Sequence, residues 1–396
     1  MRGQQIPVVI LAGFLGAGKT TLLNHLLHSS RGSRIAVLVN DFGSIEIDAM
    51  TVAGQVGSAV SLGNGCLCCA VDIEELDEQL ALLTRPAHRV DLIVIEASGL
   101  AEPAELVRMV LASENPGLVY GGLVEVVDGA EFRATRQRHP EIGRHLGAAD
   151  LVVLNKTDRL TSADRAGLLT EVTASARGAA VVPAAHGRID PDLLFDRRPA
   201  RERVGQLSFD DLRAEHAEGE AGEESAVGTG PSPRPRSHLH EGYESVSFTC
   251  AEPLDPVRLM SFLDHRPEGL YRIKGYVDFG PADPLNRYAV HAVGRFLRFY
   301  PEPWPRDGAA AGTQLVLIGA GIDAEGLRTA LDGCRADSVA PADATALLGG
   351  ADADGQRRMW GVLRYVQEPG TAPDTRETRE APEPEETDER QDARLP

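Results

Sequence analysis

Gly13-Phe14-Leu15-Gly16-Ala17-Gly18-Lys19-Thr20 fits G-x-x-x-x-G-K-[ST], a glycine-rich turn whose backbone N–H groups cradle a phosphate chain. Such a turn, joined to the positive end of the following helix, binds anions. Gly13, Gly16 and Gly18 let the backbone approach the phosphates with no Cβ in the way. Lys19 would neutralise the β- and γ-phosphates, and the Thr20 hydroxyl would ligate Mg²⁺. Ala17 and Thr21 belong to the same nucleotide-binding run.

Lysine is scarce here: three stand among 40 lysines and arginines, and two of them fall at sites where a compact ammonium is needed. Besides Lys19 there is Lys156, in Asn155-Lys156-Thr157-Asp158, the N-K-x-D pattern that reads guanine. The Asp158 carboxylate can accept from both N1–H and the 2-amino group of guanine, while adenine has no matching donor pair. The wrong base therefore leaves buried polar groups unpaired. Lys274 has no role legible in the sequence.

Leu92-Ile93-Val94-Ile95-Glu96-Ala97-Ser98-Gly99 reads as an apolar strand that delivers a carboxylate to its C-terminal end, the edge at which doubly wound sheets bind ligands. Glu96 is expected to hold a Mg²⁺-bound water, and Gly99 to bring its N–H to the γ-phosphate. Lys19, Thr20, Glu96 and Gly99 form the expected catalytic set. Leu100 follows, where Ras-like GTPases use a glutamine to orient the attacking water. Leucine neither donates nor accepts, so slow hydrolysis is expected unless a partner, a metal or dimerisation assists.

Gly65-Cys66-Leu67-Cys68-Cys69 gathers three thiols, soft ligands that select Zn²⁺ or Cu(I) and whose pKa a bound metal depresses. Three sulfurs leave one tetrahedral position open, unlike a closed four-ligand structural zinc site, and this suits temporary holding. The rival reading makes them small buried apolar side chains. Between this cluster and the phosphate loop lies Asn40-Asp41-Phe42-Gly43-Ser44-Ile45-Glu46-Ile47-Asp48, where a nucleotide-sensing loop would sit and could couple the two sites.

These motifs need a scaffold that brings strand ends to one edge. Continuous apolar runs at Pro7–Ala12, Arg34–Val39, Val90–Ile95, Leu118–Val127, Asp150–Leu154 and Ala180–Val182 alternate with helical patterns, including one from Lys19 to about His28. That alternation predicts a doubly wound, mostly parallel α/β sheet of the P-loop NTPase kind. Strands at Tyr243–Cys250, Leu270–Phe279, Arg287–Val293, Phe296–Tyr300 and Gln314–Ile318, with helices at Asp255–His265 and Asp323–Asp332, predict a second, smaller α+β domain.

The expected division is a nucleotide domain over 1–200, a Gly/Ser/Pro/Glu-rich linker over 201–242 and the small domain over 243–335. An extension of undefined structure over 336–366 and a disordered acidic tail over 367–396 follow. A net charge of −19 argues against nucleic acid as the partner. No apolar run reaches the roughly eighteen residues of a membrane span, and the first residues lack the layout of a signal peptide. Five cysteines, three of them clustered, suit reduced thiols. A cytoplasmic protein without membrane contact is expected.

Taken together, Gly13–Thr20, Asn40–Gly43, Cys66–Cys69, Glu96–Gly99 and Asn155–Asp158 resemble the CobW-type GTPases, which include the zinc-regulated GTPase metalloprotein activators. Tyr243 to about Asp332, with Lys274-Gly275, is similar to the CobW C-terminal domain. The resemblance implies a GTP-hydrolysing metallochaperone that uses GTP and Mg²⁺ and carries Zn²⁺ or Co²⁺ on Cys66, Cys68 and Cys69. A client metalloprotein or metal-insertion complex, or a homodimer, would complete the site. Two features depart from the family pattern: Ser44 replaces a glutamate, and His216, His238 and His240 are the histidines left in the linker. The alternative is a regulatory GTPase, a protein-binding switch with structural metal or none.

Overall fold

The computed structural model describes residues 5–30, 33–39, 60–61, 73–86, 88–99, 102–196, 242–305, 312–336 and 353–366. In the first half, β1 (Ile6–Ala12), β2 (Ile35–Val39), β3 (Val60–Ser61), β4 (Leu92–Glu96), β5 (Leu118–Asp128), β6 (Leu151–Asn155) and β7 (Ala180–Pro183) form a sheet in the order β3-β2-β4-β1-β5-β6-β7. Every pairing in it is parallel. All residues of β4 and β6 are buried; helices cover both faces, so the strands are apolar up to their C-terminal residues, Glu96 and Asn155.

On one face, Leu22, Leu23 and Leu26 of α1 (Lys19–Ser29) pack on Val9, Leu11, Val94 and Val153. On the other, Leu76 and Leu80 of α2 (Ile73–Leu83) and Leu106 and Val110 of α3 (Pro103–Ala112) cover Val8, Ile10, Ile93 and Ile95. Phe132 from α4 (Phe132–Arg138), Leu146 from α5 (Ile142–Ala148) and Val172 from α6 (Ser162–Ser175) close over β6. Because β1 lies between β4 and β5, the chain winds away from it in both directions. The crevice beyond its carboxyl end is the topological switch point at which such sheets bind ligands.

The second half is an antiparallel sheet of β8 (Glu244–Cys250), β9 (Leu270–Val277), β10 (Asn286–Val293), β11 (Phe296–Pro303) and β12 (Thr313–Gly319), in the order β11-β10-β9-β12-β8. Its apolar face is capped by α7 (Pro256–Asp264), α8 (Ala324–Asp332) and α9 (Ala353–Leu363) through Leu259, Leu263, Leu327, Leu331 and Val362. Helix α9 occupies part of the stretch whose structure the sequence left undefined. No helix among the described residues is long and apolar enough to cross a membrane.

The smaller sheet docks on β5. Register against β1 jumps from Val8↔Tyr120 to Val9↔Gly122, a bulge where a glycine pair makes room for Tyr271 and Val293. Gly122 has φ +112, and a Cβ there would lie 2.7 Å from Val293 Cγ1. Tyr271 donates its hydroxyl to Gly121 O (3.3 Å), and His291 Nε2 bonds Tyr120 O (2.9 Å). Asp150 accepts from the Tyr120 hydroxyl at 2.6 Å and from Leu123 N at 2.9 Å.

Candidate functional site

The phosphate loop leaves β1 at Gly13, which hugs β5 so closely that a Cβ would stand 2.3 Å from Val126 O. Gly16 (φ +78) and Gly18 (φ +103) carry the turn through the left-handed region, and Gly18 opens α1. Lys19, 8% exposed, folds back so that Nζ donates to Gly13 O at 2.9 Å. Thr20 donates its hydroxyl to Glu96 Oε1 at 3.0 Å. Thr21 is exposed on the first turn of α1.

Glu96 is the last residue of β4 and is buried, so the sheet order brings its carboxylate to the Thr20 hydroxyl. A hydroxyl and a carboxylate oxygen at a strand edge are the hard donors that Mg²⁺ prefers, so the residues fit that ion. Gly99 lies against the loop: a Cβ on it would be 2.9 Å from Leu15 N.

Asn155 ends β6, and its side chain works as a brace. Its Nδ2 donates to Ala17 O at 3.0 Å and its Oδ1 accepts from Gly187 N at 2.9 Å. The phosphate loop and the loop after β7 are thus fixed to one amide, 2% exposed. A Cβ on Gly18 would come 2.4 Å from the same Nδ2, which accounts for glycine there. Lys156 takes a left-handed turn (φ +59) and pairs with Asp128 Oδ2 at 2.6 Å, anchoring the segment to the end of β5. The Thr157 hydroxyl donates to Ala184 O at 2.9 Å. Asp158, by contrast, is exposed, with His186 Nε2 3.8 Å from its carboxylate. Two residues of the motif build the platform, and the third stays exposed at its edge.

Sequence reasoning missed three contributors. Asp128 and the loop Ala184–Gly187 carry no motif of their own, although each directly follows or ends an apolar strand of the same sheet, the one signal that marked them. The third is Glu125, opposite Ala12 on β5 and 2% exposed. Burial pushes its carboxyl up to about 8, against the pull of the Lys19 ammonium.

Cys66, Cys68 and Cys69, the Asn40–Gly43 run and Leu100 lie outside the described residues. Cys250 and Cys334 are buried in the second core, where burial pushes both thiols up, Cys334 to about 11. Among the described residues no three metal-type side chains converge. Lys274, unexplained by the sequence, pairs with Asp196 and so ties the second sheet to the end of the first half of the chain.

Residues 7–183 match the family model described as CobW/HypB/UreG, nucleotide-binding domain, and residues 243–335 match the cobalamin synthesis protein cobW C-terminal domain. The chain is 31% identical over 353 residues to the zinc chaperone CobW of Sinorhizobium sp, spanning 80% of this chain and 93% of that protein. It is 29% identical over 346 residues to the zinc chaperone YjiA of Escherichia coli, spanning 83% and 99%. Against the zinc-regulated GTPase metalloprotein activator 1 of Schizosaccharomyces pombe the identity is 32% over 194 residues, or 47% of each chain.

Proposed function

Since the chain belongs to the CobW/HypB/UreG family and carries the CobW C-terminal domain, we propose that it is a GTP-hydrolysing metallochaperone that holds an ion on Cys66, Cys68 and Cys69 and delivers it to a client metalloprotein. The nucleotide half is supported by one observation above all. The Asn155 brace joins the phosphate loop to the Asn155–Asp158 segment, with Asp158 left open beside them.

Lys19 is already curled over the loop and would exchange Gly13 O for the β- and γ-phosphates. Thr20 and Glu96 would hold Mg²⁺, Glu96 through a water. When bound, that ion supplies charge neutralisation along the phosphate chain. Gly99, packed on Leu15, keeps its backbone beside the loop where a γ-phosphate would be sensed. With Leu100 next in sequence, no side chain at that point activates water, so turnover is slow until a client or a second copy binds.

The metal half is supported by the three clustered thiols and by the zinc chaperones among the relatives. Zn²⁺ is the favoured cargo and Co²⁺ the runner-up, since thiolates accept both. Residues 1–200 act as the nucleotide domain and 243–335 as the client-docking domain, in the cytoplasm. The test is an equilibrium titration with Zn²⁺ and Co²⁺, with and without a non-hydrolysable GTP analogue. The reading expects metal affinity to change by about tenfold or more, and to vanish in a C66S/C68S/C69S variant. Affinity indifferent to the analogue leaves the regulatory GTPase in its place.

A further inference from the structure

Glu125 is a buried acid with one oxygen, Oε2, left unsatisfied by the described residues. Desolvation without a partner penalises the anion far more than the acid, so the group keeps its proton at neutral pH. Of the neighbouring charges, Lys19 from α1 favours the anion, while Glu102, at the start of α3, disfavours it. The side chain lines a cavity of about 270 Å³ whose wall includes Phe14, Leu15 and Ala17 of the phosphate loop. Asp128 at the end of β5, Glu131 before α4 and Arg138 on α4 face the same space.

Arrival of a nucleotide changes this balance in one direction. Phosphates engaging Lys19 cancel the field that favoured the Glu125 anion, and their own negative charge repels it further. An ionised Glu125 would in turn compete with the phosphates for Lys19. Both effects make the nucleotide-bound protein hold the Glu125 proton more firmly than the free protein does.

We propose that Glu125 is a positioning residue that must be the neutral acid for the phosphate loop to accept a nucleoside di- or triphosphate, so that binding takes up a proton at this side chain whenever the free protein has released it. The inference rests on the nucleotide-binding reading above. The proton comes from the buffer and ends on the Glu125 carboxyl, and no bond to the nucleotide forms. Since the bound state holds more protons, affinity is full at pH values below about 8 and declines as pH rises through that value.

Titration calorimetry of the full chain with GDP and Mg²⁺, in buffers of different ionisation heat at about pH 7, 8 and 9, measures the linkage directly. Uptake should be near zero at the lowest pH and exceed roughly half a proton per nucleotide at the highest, with affinity falling by as much as about tenfold per pH unit. Glu125→Gln copies the neutral acid, so it should keep affinity at neutral pH within about threefold while losing both the uptake and the pH trend. Equal uptake in the wild type and E125Q, or none in the wild type, overturns the proposal. Should E125Q fail to fold, the wild-type proton count decides the matter, with Glu125→Met as the second variant. Absence of nucleotide binding at neutral pH would remove the nucleotide reading itself, an outcome distinct from binding that ignores pH.

Discussion

Asn155 and Ala17, 138 residues apart, are joined by a 3.0 Å hydrogen bond from side-chain amide to backbone carbonyl. The same amide accepts from Gly187 N, so one side chain fixes the separation of two loops that would grip a nucleotide. Replacing Asn155 by Ala leaves a buried carbonyl and a buried N–H unpaired. The expected loss is about 1–3 kcal/mol of stability, together with at least about a tenfold loss of nucleotide affinity. Thermal melts with and without GDP check both, and undiminished nucleotide protection in the variant would refute the brace.

Asp158 is exposed beside that brace and unencumbered by it. Asp158→Asn turns one acceptor into a donor, which mismatches the guanine 2-amino group and matches the 2-oxo group of xanthine. Affinity for GTP should fall by about a hundredfold while that for xanthosine triphosphate rises. Competition with a fluorescent nucleotide measures the ratio; an unaltered preference would place base reading elsewhere.

His291 bonds Tyr120 O between the two sheets, and burial holds its imidazole down to about 4. In the unfolded chain the ring takes a proton near 6.5, so across that interval the unfolded state binds more protons. The stability owed to the neutral ring is full above that range and is lost as pH falls through it, to a total of about 3 kcal/mol. Urea midpoints measured from pH 7 downward should drop, and His291→Gln should flatten that part of the curve. Identical slopes in the two proteins would contradict the assignment.

Gly275 has φ +136, and a Cβ there would stand 1.9 Å from Gln314 O on the neighbouring β12. Gly275→Ala must push β12 away from β9, at a cost of about 2–4 kcal/mol. Lys274→Ala, one residue away, removes a half-exposed ion pair with Asp196 and should cost about 1 kcal/mol or less. Chemical denaturation of the two variants side by side tests the contrast.

Much of this architecture was legible because chemistry constrains short segments. A phosphate cradle demands glycines before Lys19, and a doubly covered strand such as Leu151–Leu154 admits no polar residue, so type and place could be read together. Strand limits such as Leu92–Glu96 and Glu244–Cys250 fall within about two residues of the expected ones. The cysteine cluster, too, is read from sequence alone.

Other features needed the tertiary structure. Asn155 was legible as part of the guanine motif, but not as the brace that gives one amide N–H to Ala17 O and accepts from Gly187 N. Lys156 holds Asp128, and Lys274 holds Asp196. Glu125 looked like any glutamate within an apolar strand until β1 and the phosphate loop buried it.

The sequence by itself determined which side chains were on hand for phosphate, guanine and soft-metal chemistry, because local spacing suffices for a loop or a strand end. Only the three-dimensional arrangement decided which of them meet. Hydrogen-bond partners and burial depend on strand order and on residues tens of positions apart, and no local pattern encodes those separations.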